Sequence, residues 1–396
     1  MCGGNPAPGS NPGLSATPYK QVSGFEFGVS RQRETRNHEA LTHVFQSGIK
    51  GAKQKEPGVR KPKTQNPKRE TLNMESVLIT GGAGFIGSNL ALELERRHPD
   101  IRVTIIDDFR SGEFSNLVGF RGDLVAADLS SLDLGDRFRP GEFQQIFHLA
   151  SITDTTVADP RQMIFNNLEG FRRVAEFARA SRTPLVFASS AAVYGVCASG
   201  RMAEDQPARP ANVYGFSKAL MENLARRHAA ASPDFRVVGL RYFNVYGPRE
   251  AHKGAAASMV YQLAAQIRAG KRPRIFKHGE QKRDFVYIRD VVKATLMAAS
   301  AERSGIYNVG SGRATSFNEV VALLNKALGT GYEPEHFDNP YAFYQPHTEA
   351  DLVRSSSDLG YAVHYPIDRG IAEYVKELME ADTIQDGLSC QRPWPC

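Results

Sequence analysis

The sequence predicts an α/β protein in which a doubly wound parallel sheet carries a smaller C-terminal α/β lobe. Three observations predict it. From Met74 onward, short β-branched runs alternate with helical stretches, the pattern of a parallel sheet with helical crossovers. A glycine-rich turn joins the first such run to the first helix, and beyond Gly247 the pattern turns irregular and richer in Pro, Gly and aromatic residues.

Taken in order, SVLIT (76–80) opens the first strand and FIGSNLALELERR (85–97) the first amphipathic helix. VTIID (103–107) and QQIFHLA (144–150) read as further buried strands, separated from PLVFASS (184–190) by the long helical stretch RQMIFNNLEGFRRVAEFARA. NVYGFSKALMENLARRHAA (212–230) is a helix and FRVVGLRYFNVYG (235–247) a strand that ends the main domain. The expected sheet domain is 74–246, rejoined at about 284–301 by the helix DVVKATLMAAS, with 247–283 and 302–382 forming the lobe. TIQDGLSCQRPWPC (383–396) has turn residues and no period, so it is expected to fray.

The 396-residue chain has a formal charge of +6, and its distribution matters more than its size. Residues 1–73 hold twelve Lys or Arg against five Glu, a net of +7, which leaves −1 for the rest. That segment is rich in Gly, Pro, Asn, Gln and Lys, and is expected to be a disordered basic tail, with a translation start at Met74 as an alternative. A body without basic excess argues against nucleic acid as a partner. No apolar run is long enough to span a membrane and no signal peptide pattern opens the chain, so a cytoplasmic location without membrane association is expected. Cys2, Cys197, Cys390 and Cys396 are too dispersed for a zinc site or a disulfide framework, and no metal is expected.

Gly81, Gly84 and Gly87 in TGGAGFIG lie between a buried strand and an amphipathic helix. Such glycines permit a tight turn and let the backbone approach a pyrophosphate, whose charge the helix N-terminus receives. Asp107, at the end of the next strand and about twenty residues on, suits the ribose hydroxyls of an adenosine. Together they predict a dinucleotide-binding Rossmann domain. Asp107 favours NAD, whereas Arg110 offers a cation for the 2′-phosphate of NADP; Asp128 in AADLS is a further candidate beside the adenine.

Tyr214 and Lys218 are spaced i, i+4, which places both on one face of a helix. A phenol ordinarily titrates near pH 10, and a neighbouring ammonium favours the phenolate, so the pair is a candidate acid–base unit. Ser190 ends the preceding strand at the sheet's carboxyl edge, where its hydroxyl can bond a reacting sugar oxygen. In order and spacing, the glycine loop, Ser190, Tyr214 and Lys218 are similar to the extended short-chain dehydrogenase/reductases.

RYFNVYGPREAHKG (241–254), QKRDFVYIRD (281–290), SGIYNVGSGRATSFNEV (304–320) and FYQPHTEADL (343–352) sharpen this. Over about Ser76 to Leu378 the chain resembles the ADP-L-glycero-D-manno-heptose 6-epimerases of lipopolysaccharide core synthesis, the H-K-G after Y-G-P-R-E being the most telling element. The resemblance implies that Tyr214 and Lys253 act as two bases on opposite sides of carbon 6 of an ADP-heptose. It implies cofactor contacts at Phe85, Ile86, Asp107, Asp108, Asn167 and Val245, and sugar-nucleotide contacts at Asn244, Phe276, Arg283 and Tyr344. It further implies a homo-oligomer, a pentamer, with tightly bound NADP; NAD stays open because Asp107 argues for it. Ala255, Gln262, Glu113 and Phe114 depart from the family pattern and bear on the 2′-phosphate and sugar contacts. A UDP-hexose 4-epimerase shares the Tyr–Lys pair without requiring Lys253. A 4,6-dehydratase would need an acidic pair where Ala191 and Ala192 stand. A non-catalytic dinucleotide sensor would not need the intact Ser190, Tyr214 and Lys218.

Overall fold

The structure, a computed structural model, describes residues 74–153, 159–197, 200–338 and 345–389, with side chains through residue 380. The expected tail (1–73), Tyr344 and the last seven residues lie outside them. The chain runs β1 (Ser76–Thr80), α1 (Phe85–Arg97), β2 (Arg102–Asp107), β3 (Asp123–Ala126), α2 (Leu134–Arg137), β4 (Gln145–His148), α3 (Pro160–Ala180), β5 (Leu185–Ser190), α4 (Val213–Ala231) and β6 (Val237–Tyr242). It continues through β7 (Asn244–Tyr246), α5 (Met259–Arg268), β8 (Arg274–Phe276), β9 (Lys282–Tyr287), α6 (Ile288–Ala299), β10 (Gly305–Val309), β11 (Ala314–Ser316), α7 (Phe317–Leu328), β12 (Glu335–Phe337), α8 (Val353–Leu359) and α9 (Ile367–Ser389).

Seven strands form one parallel sheet in the order β10-β6-β5-β4-β1-β2-β3. Both faces are covered, as near-continuous apolar strands require. Alternate residues serve opposite faces: Val77 and Ile79 of β1 pack with Leu90 and Leu94 of α1 and Val291 of α6, while Leu78 joins Phe171 of α3 and Met221 of α4. The chain reverses direction across the sheet between β1 and β4, and that switch point opens a crevice at their carboxyl ends. The smaller sheets, β11-β9-β7 and β12-β8, lie in the later part of the chain.

Two boundaries differ from the sequence expectation. GIYNV (305–309), assigned above to the lobe, is β10, the edge strand of the main sheet, because it pairs in parallel with β6 from Gly305↔Val238 to Val309↔Tyr242. Helix α9 continues to Ser389, through residues expected to fray. Its buried face, Ile371, Tyr374 and Val375, secures the earlier turns, and elongation from a formed helix adds one hydrogen bond per residue fixed.

Candidate active site

The β1–α1 turn forms because its glycines admit a backbone that side chains would block. Gly81 has φ +72°, and a Cβ on Gly87 would stand 2.1 Å from the Gly81 carbonyl oxygen. The turn opens into a cavity of about 520 Å³ lined by Gly81, Gly84, Phe85, Ile86, Gly87, Asp107, Asp108, Asp128 and Asn167. Every cofactor residue expected on the β1–β4 side is therefore in one place.

Asp107 is buried, and its carboxylate accepts from the N–H of Ala83 in the turn at 2.9 Å and of Phe109 at 2.9 Å. Burial raises its pKa, opposed by those two donors. Arg110 is engaged by carboxylates, 3.2 Å from Asp108 and 2.9 Å from Asp128. Asn167 acts as a tie: its amide exchanges hydrogen bonds with both backbone groups of Ile152, at 2.7 and 3.1 Å, and donates to Ser217 of α4 at 3.0 Å. His148 also lines the cavity; Thr80 bonds its Nδ1 at 2.8 Å and its buried Nε2 has no partner among the described residues. Desolvation, then the Lys218 charge, lower its pKa to about 3, so the ring is neutral.

A second cavity of about 440 Å³ is lined by Ser190, Tyr214, Lys218, Asn244, Val245, Phe276 and Arg283. Phe85, Ile86 and Lys253 line both cavities, which makes them one continuous site. Asn212 caps α4 by accepting from Gly215 N–H at 2.8 Å, which starts the helix so that Tyr214 and Lys218 share its first turns. Gly215 lets α4 touch the end of β5, since a Cβ there would meet the Ala192 carbonyl oxygen at 2.4 Å. Tyr214 and Ser190 consequently line one cavity. Burial raises the phenol pKa and Ser190 opposes that shift.

Lys218 is buried, donates to the Ala188 carbonyl at 2.9 Å, and lies 5.7 Å from the Tyr214 ring centre; desolvation brings its pKa down to about 7. One layer deeper, Glu222 takes Arg241 at 2.8 Å through both oxygens and accepts from Ser189 at 2.6 Å. Lys253 stands on a short 3-10 turn, Ala251–Ala256, with its ammonium 5.7 Å from the Phe85 ring centre. Burial lowers its pKa and Glu250 pulls it back up. Glu250 itself closes the loop: it accepts from Gly247 N–H at 3.0 Å, Ser258 N–H at 2.6 Å and Ser258 Oγ at 2.9 Å.

Arg283 lies 6.0 Å over the Phe317 ring and donates to the Lys282 carbonyl. Its neighbour Asp284 receives the N–H groups of Ser311, Gly312 and Ala350, a structural duty of its own. Of the departures from the family pattern, Gln262 has become structural, donating to the carbonyls of Ala255 and Ala257 at 3.0 and 2.8 Å. Sequence reasoning missed His252 and Asn116. His252 lines the dinucleotide cavity, and Asn116 joins its Nδ1 to the Ala83 carbonyl, each at 3.0 Å. The signal for His252 stood in the H-K-G motif; nothing local marked Asn116.

The glycine cradle, the unpartnered His148 Nε2 and the acid at the end of β2 fit a dinucleotide. Residues 77–310 match the NAD dependent epimerase/dehydratase family. A protein of Alkalilimnicola ehrlichii, ADP-L-glycero-D-manno-heptose-6-epimerase, is 37% identical over 333 residues, 78% of this chain and 99% of that one. The crystal structure of Helicobacter pylori ADP-L-glycero-D-manno-heptose-6-epimerase superposes with a TM-score of 0.72 at 41% identity, covering 77% of this chain and 96% of that one. That of UDP-glucose 4-epimerase from Thermotoga maritima, with UDP-glucose, has a TM-score of 0.72 at 26% identity over 77% and 99%. With its parallel sheet, glycine cradle and Tyr–Lys helix, the chain belongs to the NAD dependent epimerase/dehydratase family.

Proposed function

We propose that the chain is an ADP-L-glycero-D-manno-heptose 6-epimerase, inverting carbon 6 of ADP-D-glycero-D-manno-heptose. The observation that carries this reading is the presence of Lys253 in the same cavity as Tyr214, Ser190 and Lys218, which supplies a second proton-transfer group beyond the Tyr–Lys pair. The heptose epimerases of A. ehrlichii and H. pylori, at 37% and 41% identity, support the choice of sugar.

A dinucleotide held by this cradle would supply a hydride acceptor able to give the same hydride back, which would leave net redox at zero. Tyr214, which lines this cavity beside Ser190, takes the hydroxyl proton as carbon 6 becomes a carbonyl, and a protonated Lys218 next to its ring favours the phenolate that this needs. After rotation about the bond to carbon 5, the carbonyl presents its other face. Lys253 then gives the proton to the new alcohol, a transfer its lowered pKa assists. Arg283 takes the diphosphate with its planar fork, and Asn244 and Phe276 line the sugar's place.

Of NAD and NADP, the charges at the adenosine end favour NAD. Asp107, Asp108 and Asp128 face that cavity, and Arg110 is already held by two carboxylates. In cofactor-stripped protein NADH therefore binds more tightly than NADPH by fluorescence titration, and Asp108→Asn with Asp128→Asn narrows the gap.

No described helix is long and apolar enough to cross a membrane. A cytoplasmic location and a homo-oligomer belong to the same reading, the latter supported by exposed Phe165 and Phe216 on the paired helices α3 and α4. The deciding assay is turnover of ADP-D-glycero-D-manno-heptose without added cofactor, with the epimers resolved by chromatography. Interconversion that disappears in Lys253→Ala is the expected result; glucose–galactose exchange on UDP-sugars without heptose turnover would replace the proposal with a 4-epimerase.

A further inference from the structure

A separate cavity of about 750 Å³ shares no lining residue with the two just described. Its walls are the later half of α1, the Pro248–Arg249 loop, the first turns of α6 and the segment from His364 into α9. Six Lys or Arg line it against three carboxylates.

Those carboxylates are occupied. Glu93 holds Arg96 and Arg97 at 2.7 and 2.6 Å, Glu377 holds Arg289 at 2.6 Å, and Asp290 accepts the backbone N–H groups of His364 and Tyr365. Arg249, Lys293 and Arg369 are left with no ion pair among the described residues. Arg249 makes one long contact, 3.4 Å to Asn89; Lys293 meets the His364 ring; Arg369 donates to the His364 carbonyl at 3.1 Å.

Arg249 also holds φ +70°, a conformation that side chains other than glycine's rarely take. Strain of that kind persists only where the surroundings impose it, and here it sets a guanidinium on the cavity wall. The walls desolvate that group and lower its pKa, with Glu377 the one opposing charge. The Tyr365 ring already carries the Arg369 and Arg289 guanidinium groups at 4.5 and 5.8 Å, so a nucleobase finds no free ring to stack on.

We propose that this cavity binds a compact polyphosphate anion without a base, held by Arg249, Lys293 and Arg369. Three cations lacking a carboxylate match several charges on neighbouring phosphoryl groups, and guanidinium forks suit phosphate oxygens. The proposal does not depend on which sugar the active site takes.

The test is calorimetric titration of sodium tripolyphosphate into holoenzyme saturated with ADP, which fills the nucleotide-sugar site, at constant ionic strength. One tripolyphosphate binds per chain, and Arg369→Glu and Arg249→Gly each weaken it at least tenfold. Arg249→Gly also melts no lower than the parent, since glycine takes this φ without strain, whereas a purely structural arginine would lower the melting temperature and leave affinity alone. If Arg249→Gly does not fold, Arg369→Glu decides. Fructose 1,6-bisphosphate titrated alongside assigns the source: tighter binding marks an organic ligand, weaker binding an inorganic one. Unchanged affinity in both variants overturns the proposal, as does equal competition by sulfate at matched ionic strength. Loss of binding together with a changed assembly state by light scattering overturns it too, because the cations would then serve contacts between copies.

Discussion

Tyr214 and Lys253 face one cavity from two different foundations. Tyr214 begins a helix in which Ser217, Lys218, Met221, Glu222 and Ala225 are all buried, and whose acid Glu222 is paired to Arg241 in the sheet. Lys253 stands on a six-residue turn, Ala251–Ala256, with no buried residue and a break at Gly254. One proton-transfer group is thus part of the core that makes the fold stable, and the other is mounted on an exposed loop held at its ends by Glu250 and between them by side-chain bonds from Asn116 and Gln262. Changes beneath the first should cost stability and activity together, and changes beneath the second activity alone.

The largest effects come from the two groups themselves. Tyr214→Phe and Lys253→Ala are each expected to lower kcat for epimerisation by roughly 10²–10⁴-fold, the usual span for a positioned acid or base, with melting unchanged. Equal losses would sharpen the comparison, since they would show that unequal foundations support equal chemistry. Next is Glu222→Ala, which leaves Arg241 as an uncompensated buried charge and should cost about 3–5 kcal/mol in denaturant unfolding. A stable Glu222→Ala protein would break the claim that the Tyr214 helix rests on this pair.

Lys218 gives a pH test. Its pKa falls from 10.5 in the unfolded chain to about 7 in the fold, so between these values the unfolded state binds the extra proton. The parent therefore loses stability as pH falls from 10.5 towards 7, and the loss is complete below 7. Lys218→Met lacks this penalty, so unfolding curves across that range should show it gaining on the parent as pH falls, then a constant difference. The smallest effect is expected at Gly254, where φ is +53° and a Cβ would meet nothing within 4 Å. Gly254→Ala strains only the backbone, so it should lower kcat and cost at most about 1–3 kcal/mol in denaturant unfolding, less where the exposed loop relaxes.

The same contrast governs what could be read from the letters. The glycine loop and the Tyr214–Lys218 pair are local patterns whose meaning lies within one turn and one helix, and the structure sets each in the wall of a cavity. Lys253 carried no local signal and entered through resemblance alone. The Asn116–His252 tie and the Glu250 closure join residues by side-chain geometry that periodicity does not encode. The sequence places β10 in the lobe, not in the main sheet, because its partner β6 is far away in sequence and short apolar runs do not name their neighbours. The end of α9 was missed because its residues lack an apolar period and prolong a helix that earlier turns secure.

Glu250 draws Gly247 and Ser258 to one carboxylate, so the residues that follow it up to Ser258 begin and end at fixed points. Such a stretch behaves as a cassette. Its contents can be exchanged in evolution or by design without disturbing the sheet or the tyrosine helix, while His252 couples it through Asn116 to the nucleotide cradle. A scaffold of this kind can acquire a new stereochemical outcome by rewriting six residues, and the same closure makes residues 251–256 the place to begin in redirecting this enzyme.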